Sequence, residues 1–256
     1  MAQASNYFPS QGVELFYQKE AAVGVSPDNN DLIKLQATSF TIPEASVPVE
    51  YSSQRSGTFV TQASQGKHVE GTKLWTFDTE SVFEDGGSDG TAHLFNTYSF
   101  PTTSYKDGES ANTFEFRFEN AGADNSSNNL VLNGCIATGF QLAQGIGSEA
   151  GELVCTINWA TGYYPAYGAA ALGGTSVHDT DTARNIRGLN PPNCTIDSEE
   201  LVIQSWELSC SRTIERVHYQ NVTSGNYKPF GYAMTGGFEV TGSMTVIRND
   251  DVHDLV

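Results

Sequence analysis

The feature that most constrains this chain is a two-residue alternation of apolar and polar side chains, which recurs along its length while helical periodicity is scarce. Thr113 to Glu119 puts Phe114, Phe116 and Phe118 on one side and Glu115, Arg117 and Glu119 on the other. Leu153, Cys155, Ile157 and Trp159 alternate with Val154, Thr156 and Asn158, and Trp206, Leu208 and Cys210 alternate with Ser205, Glu207 and Ser209. Successive side chains of an extended strand point to opposite faces, so each row reads as the buried face of an antiparallel strand whose other face is wet or turned toward a partner. The expectation is an all-β antiparallel sandwich or barrel, and 256 residues suit one domain over 1–256.

Departures from the alternation are local. Val69 to Thr76 and Val240 to Ile247 each carry a glycine two residues in, Gly71 and Gly242, where a Cβ is expected to collide with an adjacent strand or force a non-β dihedral. Ser88-Asp89 is placed to cap one short helix through Ala92, His93, Leu94 and Phe95. The segment 45–66 has Pro48 and Gly57 and no clean apolar face, which predicts a long extended loop of functional use.

The order of elements near the end of the chain carries a resemblance. Leu201-Val-Ile-Gln-Ser-Trp-Glu-Leu-Ser-Cys210 is followed by Ile214-Glu215-Arg216-Val217, then Pro229-Phe230-Gly231, then Val240-Thr-Gly-Ser-Met-Thr-Val246. Upstream, Glu14-Leu15-Phe16-Tyr17 with Gly24-Val-Ser-Pro27 looks like a first strand and turn. Leu132 to Leu142 with Ala150 to Ile157 looks like a hairpin with a Gly-Glu turn. Together these resemble bacteriophage major tail tube proteins, the tube family of long-tailed phages. The region 162–192 matches nothing in that pattern and is left as an unassigned insertion. The resemblance implies a virion tail protein assembled in the host cytoplasm, with copies of itself and other tail proteins as partners. It also implies hexameric rings stacked into a tube and a lumen that conducts DNA during ejection. In its terms the lumen strands run from Lys73 to Phe83 and from Cys135 to Trp159, with Asp78 and Glu80 as candidate lumen residues. Residues 45–66 become a stacking loop between rings, with Val49, Tyr51, Arg55 and Phe59 as its candidate contacts.

Charge bears on the partner. Thirteen Lys and Arg against thirty Asp and Glu give a formal charge of −17, which excludes holding nucleic acid by its phosphates, since that requires clustered cations. An acidic wall lets DNA pass without binding it, and net charge of this sign also keeps concentrated protein soluble. The first residues show no basic or apolar leader and no apolar run reaches eighteen residues, so a soluble protein without a membrane partner is expected. Cys135, Cys155, Cys194 and Cys210 lack ligand spacing and read as reduced, packed thiols. A hairpin turning near Gly147 would set Cys135 opposite Ala160 and Cys155 opposite Phe140, keeping the two sulfurs apart.

No catalytic signature is present: there is no P-loop, G-x-S-x-G, H-E-x-x-H or G-x-G-x-x-G, and the five histidines are scattered. No enzyme, cofactor or metal is expected. The acidic clusters Asp28 to Asp31, Asp85 to Gly90 and Asp179 to Asp181 have turn chemistry without EF-hand spacing. Two other functions stay open. The aromatic run Tyr163-Tyr164-Pro-Ala-Tyr167 suits either a plug between strand ends or a receptor- or carbohydrate-binding patch. Glu80 and Glu207 are the carboxylates a jelly-roll glycosidase would need within about 5 to 10 Å of each other.

Overall fold

The computed structural model describes residues 13–20, 24, 25, 27, 32–35, 37–46, 49–52, 67–70, 74–82, 111–118, 129–145, 151–163, 165–169, 195, 196, 199, 200, 202–211, 213–220, 227–234 and 239–247. These residues contain strands and no α-helix. In chain order they are β1 (Val13–Lys19), β2 (Ile33–Leu35), β3 (Ser39–Phe40), β4 (Glu44–Ser46), β5 (Val49–Ser52), β6 (Lys67–Glu70), β7 (Leu74–Val82), β8 (Asn112–Phe118) and β9 (Asn129–Gly145). There follow β10 (Val154–Thr161), β11 (Ala166–Ala169), β12 (Thr195–Ile196), β13 (Glu199–Glu200), β14 (Val202–Ser211), β15 (Ile214–Gln220), β16 (Tyr227–Met234) and β17 (Glu239–Ile247). The all-β antiparallel expectation is met. The short helix expected after Ser88, Gly71 and the acidic clusters lie outside the described residues.

Eleven strands form one connected set of ladders in two leaves, and β9 belongs to both. The first half of β9 lies between β8 and β11, with β1 and β2 beyond β8; Leu132 faces Phe114 and Val131 faces Ala166. Its second half lies between β10 and β14, with β7 and then β3 and β4 on one side and β17 on the other. The leaves pack face to face through one core. Leu15, Tyr17, Phe114, Phe116 and Leu132 from the first leaf meet Phe77, Phe140, Cys155, Ile157 and Trp159 from the second. Ring edges lock them together, with Phe77 edge-on to Phe114 at 5.1 Å between centroids and Phe114 at 4.8 Å from Trp159. The Trp159 indole N–H, which would otherwise be buried without a partner, donates to the Thr79 hydroxyl at 2.9 Å.

One strand of seventeen residues serves two leaves because two bulges reset its alternation. The pairing with β8 shifts by one residue between Asn112 and Phe114, and the pairing with β10 shifts between Asn158 and Trp159. The buried row of β9 therefore runs Leu130, Leu132, then Cys135, Ala137, then Phe140, with a step of three wherever a bulge adds a residue. Gly134, at φ 64°, provides the first. The β9–β10 register also differs from the one expected from a turn near Gly147, and it does so already between that turn and the bulge at Asn158. Cys155 faces Leu142, Ile157 faces Phe140, and Cys135 faces Asn112 of β8. Cys135, Cys155 and Cys210 are buried free thiols.

The row opposite Phe114 and Phe116 is buried within the subunit at Thr113 and Glu115, where a face wet or turned toward a partner was anticipated. Glu115 is fully buried and pairs with Arg117 at 3.0 Å, and the Arg117 guanidinium stands 3.9 Å over the Phe16 ring. The chain between Trp206 and Gly242 is more than a connection, since it contains the β15–β16 hairpin, with Val217 facing Gly231.

The close approach anticipated at Gly242 occurs elsewhere. Gly242 faces Leu208, and a Cβ there would stand 3.4 Å from the Glu207 carbonyl oxygen, an ordinary contact. At Gly139, between β10 and β14, a Cβ would stand 2.8 Å from the Cys210 carbonyl oxygen, where backbone must move. Gly139→Ala is expected to lower the unfolding free energy by about 1–3 kcal/mol and Gly242→Ala to change it by less than about 0.5 kcal/mol, read by urea unfolding of both variants. Equal losses would remove the distinction.

Candidate functional site: the acidic face of the second leaf

The outward side of the second leaf follows from its register. Three rows cross five strands from β7 to β17. They are Asp78, Asn158, Gly139, Ser211, Glu239; then Glu80, Thr156, Gln141, Ser209, Thr241; then Val82, Val154, Ala143, Glu207, Ser243. None of these residues is buried. The rows hold four carboxylates, no Lys or Arg, and nothing apolar larger than valine. Alternation explains them: each is the outward neighbour of an inward residue, so this face is the far side of Phe77, Ile157, Phe140 and Cys210.

Hydrogen bonds order the acids at the β7 end. Asn158 Nδ2 donates to Asp78 Oδ1 at 2.6 Å, and the Thr38 hydroxyl donates to Glu80 Oε1 at 3.2 Å. Thr41 ties the same edge, its N–H donating to the Asp78 carbonyl at 3.1 Å and its hydroxyl accepting from the Asp78 N–H at 2.8 Å. On β14, the Ser209 hydroxyl donates to Glu207 at 3.2 Å. Asp78 and Glu80 thus share one outward face with most of the second half of β9 and β10, the two stretches grouped by the sequence reading, while Glu207 and Glu239 are additions. The signal for Glu207 was its alternation with Trp206 and Leu208.

Behind this face the bend of β9 is held by a buried carboxyl. Glu20, 1% exposed, accepts from the Gly134 N–H at 2.6 Å and the Thr113 hydroxyl at 2.8 Å on Oε1, and from the Gly24 N–H at 2.6 Å on Oε2. Burial raises its pKa, and the three donors work against that rise. The Cys135 thiol is pushed well up by burial and by the charge of Glu20, and burial takes Cys155 to about 12, so both are inert, protonated packing groups.

The remaining candidates separate. Val49 and Tyr51 lie in β5, facing Glu70 and His68 of β6, so the start of the 45–66 segment is a β-hairpin base; Arg55 and Phe59 lie outside the described residues. Glu80 and Glu207 share the acidic face with two strands between them. Three strand spacings are about 14 Å, beyond the ~5–9.5 Å a glycosidase pair spans. Tyr163 is half-buried with its ring over Gly24, where φ is +79° and a Cβ would overlap the ring, so this tyrosine packs as a plug.

No family model matches this chain, and no curated protein matches it. Among solved structures it is similar to the cryo-EM structure of the anti-feeding prophage cap, the AFP tube terminating cap. The TM-score is 0.42 and the identity 8%, over 65% of this chain and 95% of that one.

The raised pKa of Glu20 fixes the sign of a pH effect. A carboxyl that holds its proton more tightly folded than unfolded adds stability that is present below the unfolded value of 4.5 and lost as pH rises through the folded value. Relative to Glu20→Gln, the wild type is expected to lose stability as pH rises from 4.5 toward neutrality, measured by urea unfolding of both proteins across that range. Parallel curves would show that Glu20 does not titrate in this window.

Proposed function

We propose that this chain is a structural protein of a phage-type tail, the major tube subunit, which closes with copies of itself into stacked hexameric rings. In this reading it has no catalytic role, and its partners are its own copies and other tail proteins in a virion tail assembled in the host cytoplasm. The acidic face of the second leaf lines the channel through which DNA leaves. The observation that carries the reading is that face: fifteen positions with four carboxylates, no Lys or Arg, and nothing apolar larger than valine.

Duplex DNA carries one negative charge per about 1.7 Å of axis and binds wherever Lys and Arg gather to release its counterions. A wall without them offers DNA no site, and carboxylates repel it over about 8 Å at physiological ionic strength. The order of motifs at the chain's end, with its resemblance to tail tube proteins, supports the same assignment. The segment 45–66, which includes β5, is assigned to ring stacking because it has no clean apolar face to bury in its own subunit.

Purified protein is expected to form hollow tubes in negative-stain microscopy as its concentration rises; monomers at every concentration would overturn the reading. Replacing residues 48–62 by a short Gly/Ser linker should keep the melting temperature within about 2 °C, as a loop that buries little contributes little, and abolish tubes. Tubes of normal length from that variant would take the stacking role away from the segment. Tubes of an Asp78→Lys, Glu207→Lys variant should retain DNA fragments at low salt that wild-type tubes release, scored by DNA co-sedimentation. Equal retention would show that this face does not line the channel.

A further inference from the structure

Asn133-Gly134 is the one Asn-Gly pair in the sequence, and it falls where β9 passes between the leaves. In an open chain such a pair attacks itself, because glycine has no Cβ to keep its amide nitrogen from the Asn side-chain carbon. The Gly134 nitrogen bonds to Asn133 Cγ, the side-chain nitrogen leaves as ammonia with the proton that the Gly134 amide gives up, and a cyclic succinimide remains. Water then opens the ring at one of its two carbonyls, giving aspartate or isoaspartate at position 133. In the folded chain the groups of this reaction are held apart. The Gly134 N–H donates to Glu20 Oε1 at 2.6 Å, the Thr113 hydroxyl lies 3.2 Å from Asn133 Oδ1, and the Thr161 hydroxyl donates to the Asn133 carbonyl at 2.5 Å. Asn133 also lies within a strand, and closing the ring requires its ψ to leave the extended range.

We propose that Asn133 is a latent self-modification site gated by Glu20: the pair is inert while the carboxyl holds the Gly134 N–H, and local opening of the bend commits Asn133 to conversion. Glu20 is a positioning residue here, since it acts by fixing the backbone that would have to rotate. The rate of conversion is then the open-chain rate multiplied by the fraction of molecules in which the bend is open. The same carboxyl takes the Gly24 N–H, so departure of the turn after β1 loosens the hold as well. Either product makes an opening permanent. Aspartate would bring a second carboxyl to the Thr113 hydroxyl, which already lies 2.8 Å from Glu20 Oε1, and like charges at one site repel. Isoaspartate lengthens the backbone by a methylene just before Gly134, ahead of the inward row of Cys135, Ala137 and Phe140.

The test is to incubate full-length wild type, Glu20→Ala and Gly139→Ala at mildly alkaline pH, in buffer and in urea, and to follow conversion of Asn133 by peptide mass mapping, with Asn158 in its strand as internal reference. Wild type in buffer is expected to convert at least about a hundredfold more slowly than in urea. Glu20→Ala should speed conversion in buffer by about tenfold or more, since two backbone N–H groups lose a charged acceptor, and leave Asn158 unchanged. Gly139→Ala loosens the fold away from the bend and should stay within about twofold of wild type, because local opening does not require global unfolding. Should Glu20→Ala fail to fold, Glu20→Gln and Thr113→Val carry the same test, each withdrawing one hydrogen bond from the set. Equal wild-type rates in buffer and urea would overturn the proposal, as would Glu20 variants no faster than wild type. A Gly139→Ala rate matching that of Glu20→Ala would also overturn it, since conversion would then report global unfolding alone.

Discussion

An N–H pointing into a protein without an acceptor costs about 1–3 kcal/mol, and the bend of β9 creates one at Gly134 by lifting that residue out of its ladder with β8. Glu20 supplies the acceptor, and with its other oxygen takes the N–H of Gly24 in the turn that follows β1. The Thr113 hydroxyl on β8 completes the set. One side chain therefore ties the end of the first strand, its turn, the neighbouring strand and the residue at which the shared strand passes between leaves. A carboxylate suits this task because it accepts at both oxygens, whereas an amide would turn an N–H toward one of the two backbone donors. The cost is desolvation, visible in the raised pKa of the group.

The consequences extend outward from that bend. Because β9 changes leaf without a break, the rows on its two halves are tied to one another: once Leu130 and Leu132 face the core, the bulges make Cys135, Ala137 and Phe140 face it as well. The inward row then fixes the outward one. Gly139, Gln141 and Ala143 are left on the far side, beside Asn158, Thr156 and Val154 of β10 and Ser211, Ser209 and Glu207 of β14. The acidic face is thus the other side of the core, built by the same register.

Much of this was legible in residues. Phe114 to Phe118, Leu153 to Trp159 and the row through Leu208 and Cys210 fell into strands because alternation is a local signal that needs only neighbours in sequence. The division of β9 was harder to read. Its buried row advances by two, then three, then two, then three, and a reader expecting a period of two sees a broken pattern, although each three marks a bulge. The special role of Gly139 and the burial of Glu20 and Glu115 depend on what packs across from them, which no local pattern encodes. Glycine after glycine in this chain looks alike in sequence, and only the position of the Cys210 carbonyl singles out Gly139. The exposure of Val240 and Met244 on β17 was equally hidden, since they alternate like any core row and differ only in being left exposed.

The charges of the acidic face are also widely spaced. Along the rows the carboxylates are diluted: Asp78 and Glu239 stand at opposite ends of one row with three neutral residues between, about 19 Å apart at strand spacing, and Glu80 and Glu207 are each alone in theirs. These separations exceed the screening length of about 8 Å, so the face is acidic while most of its charges repel each other weakly. Asp78 and Glu80, two residues apart on β7, are the exception, and each accepts a hydrogen bond from a neutral neighbour, Asn158 and Thr38.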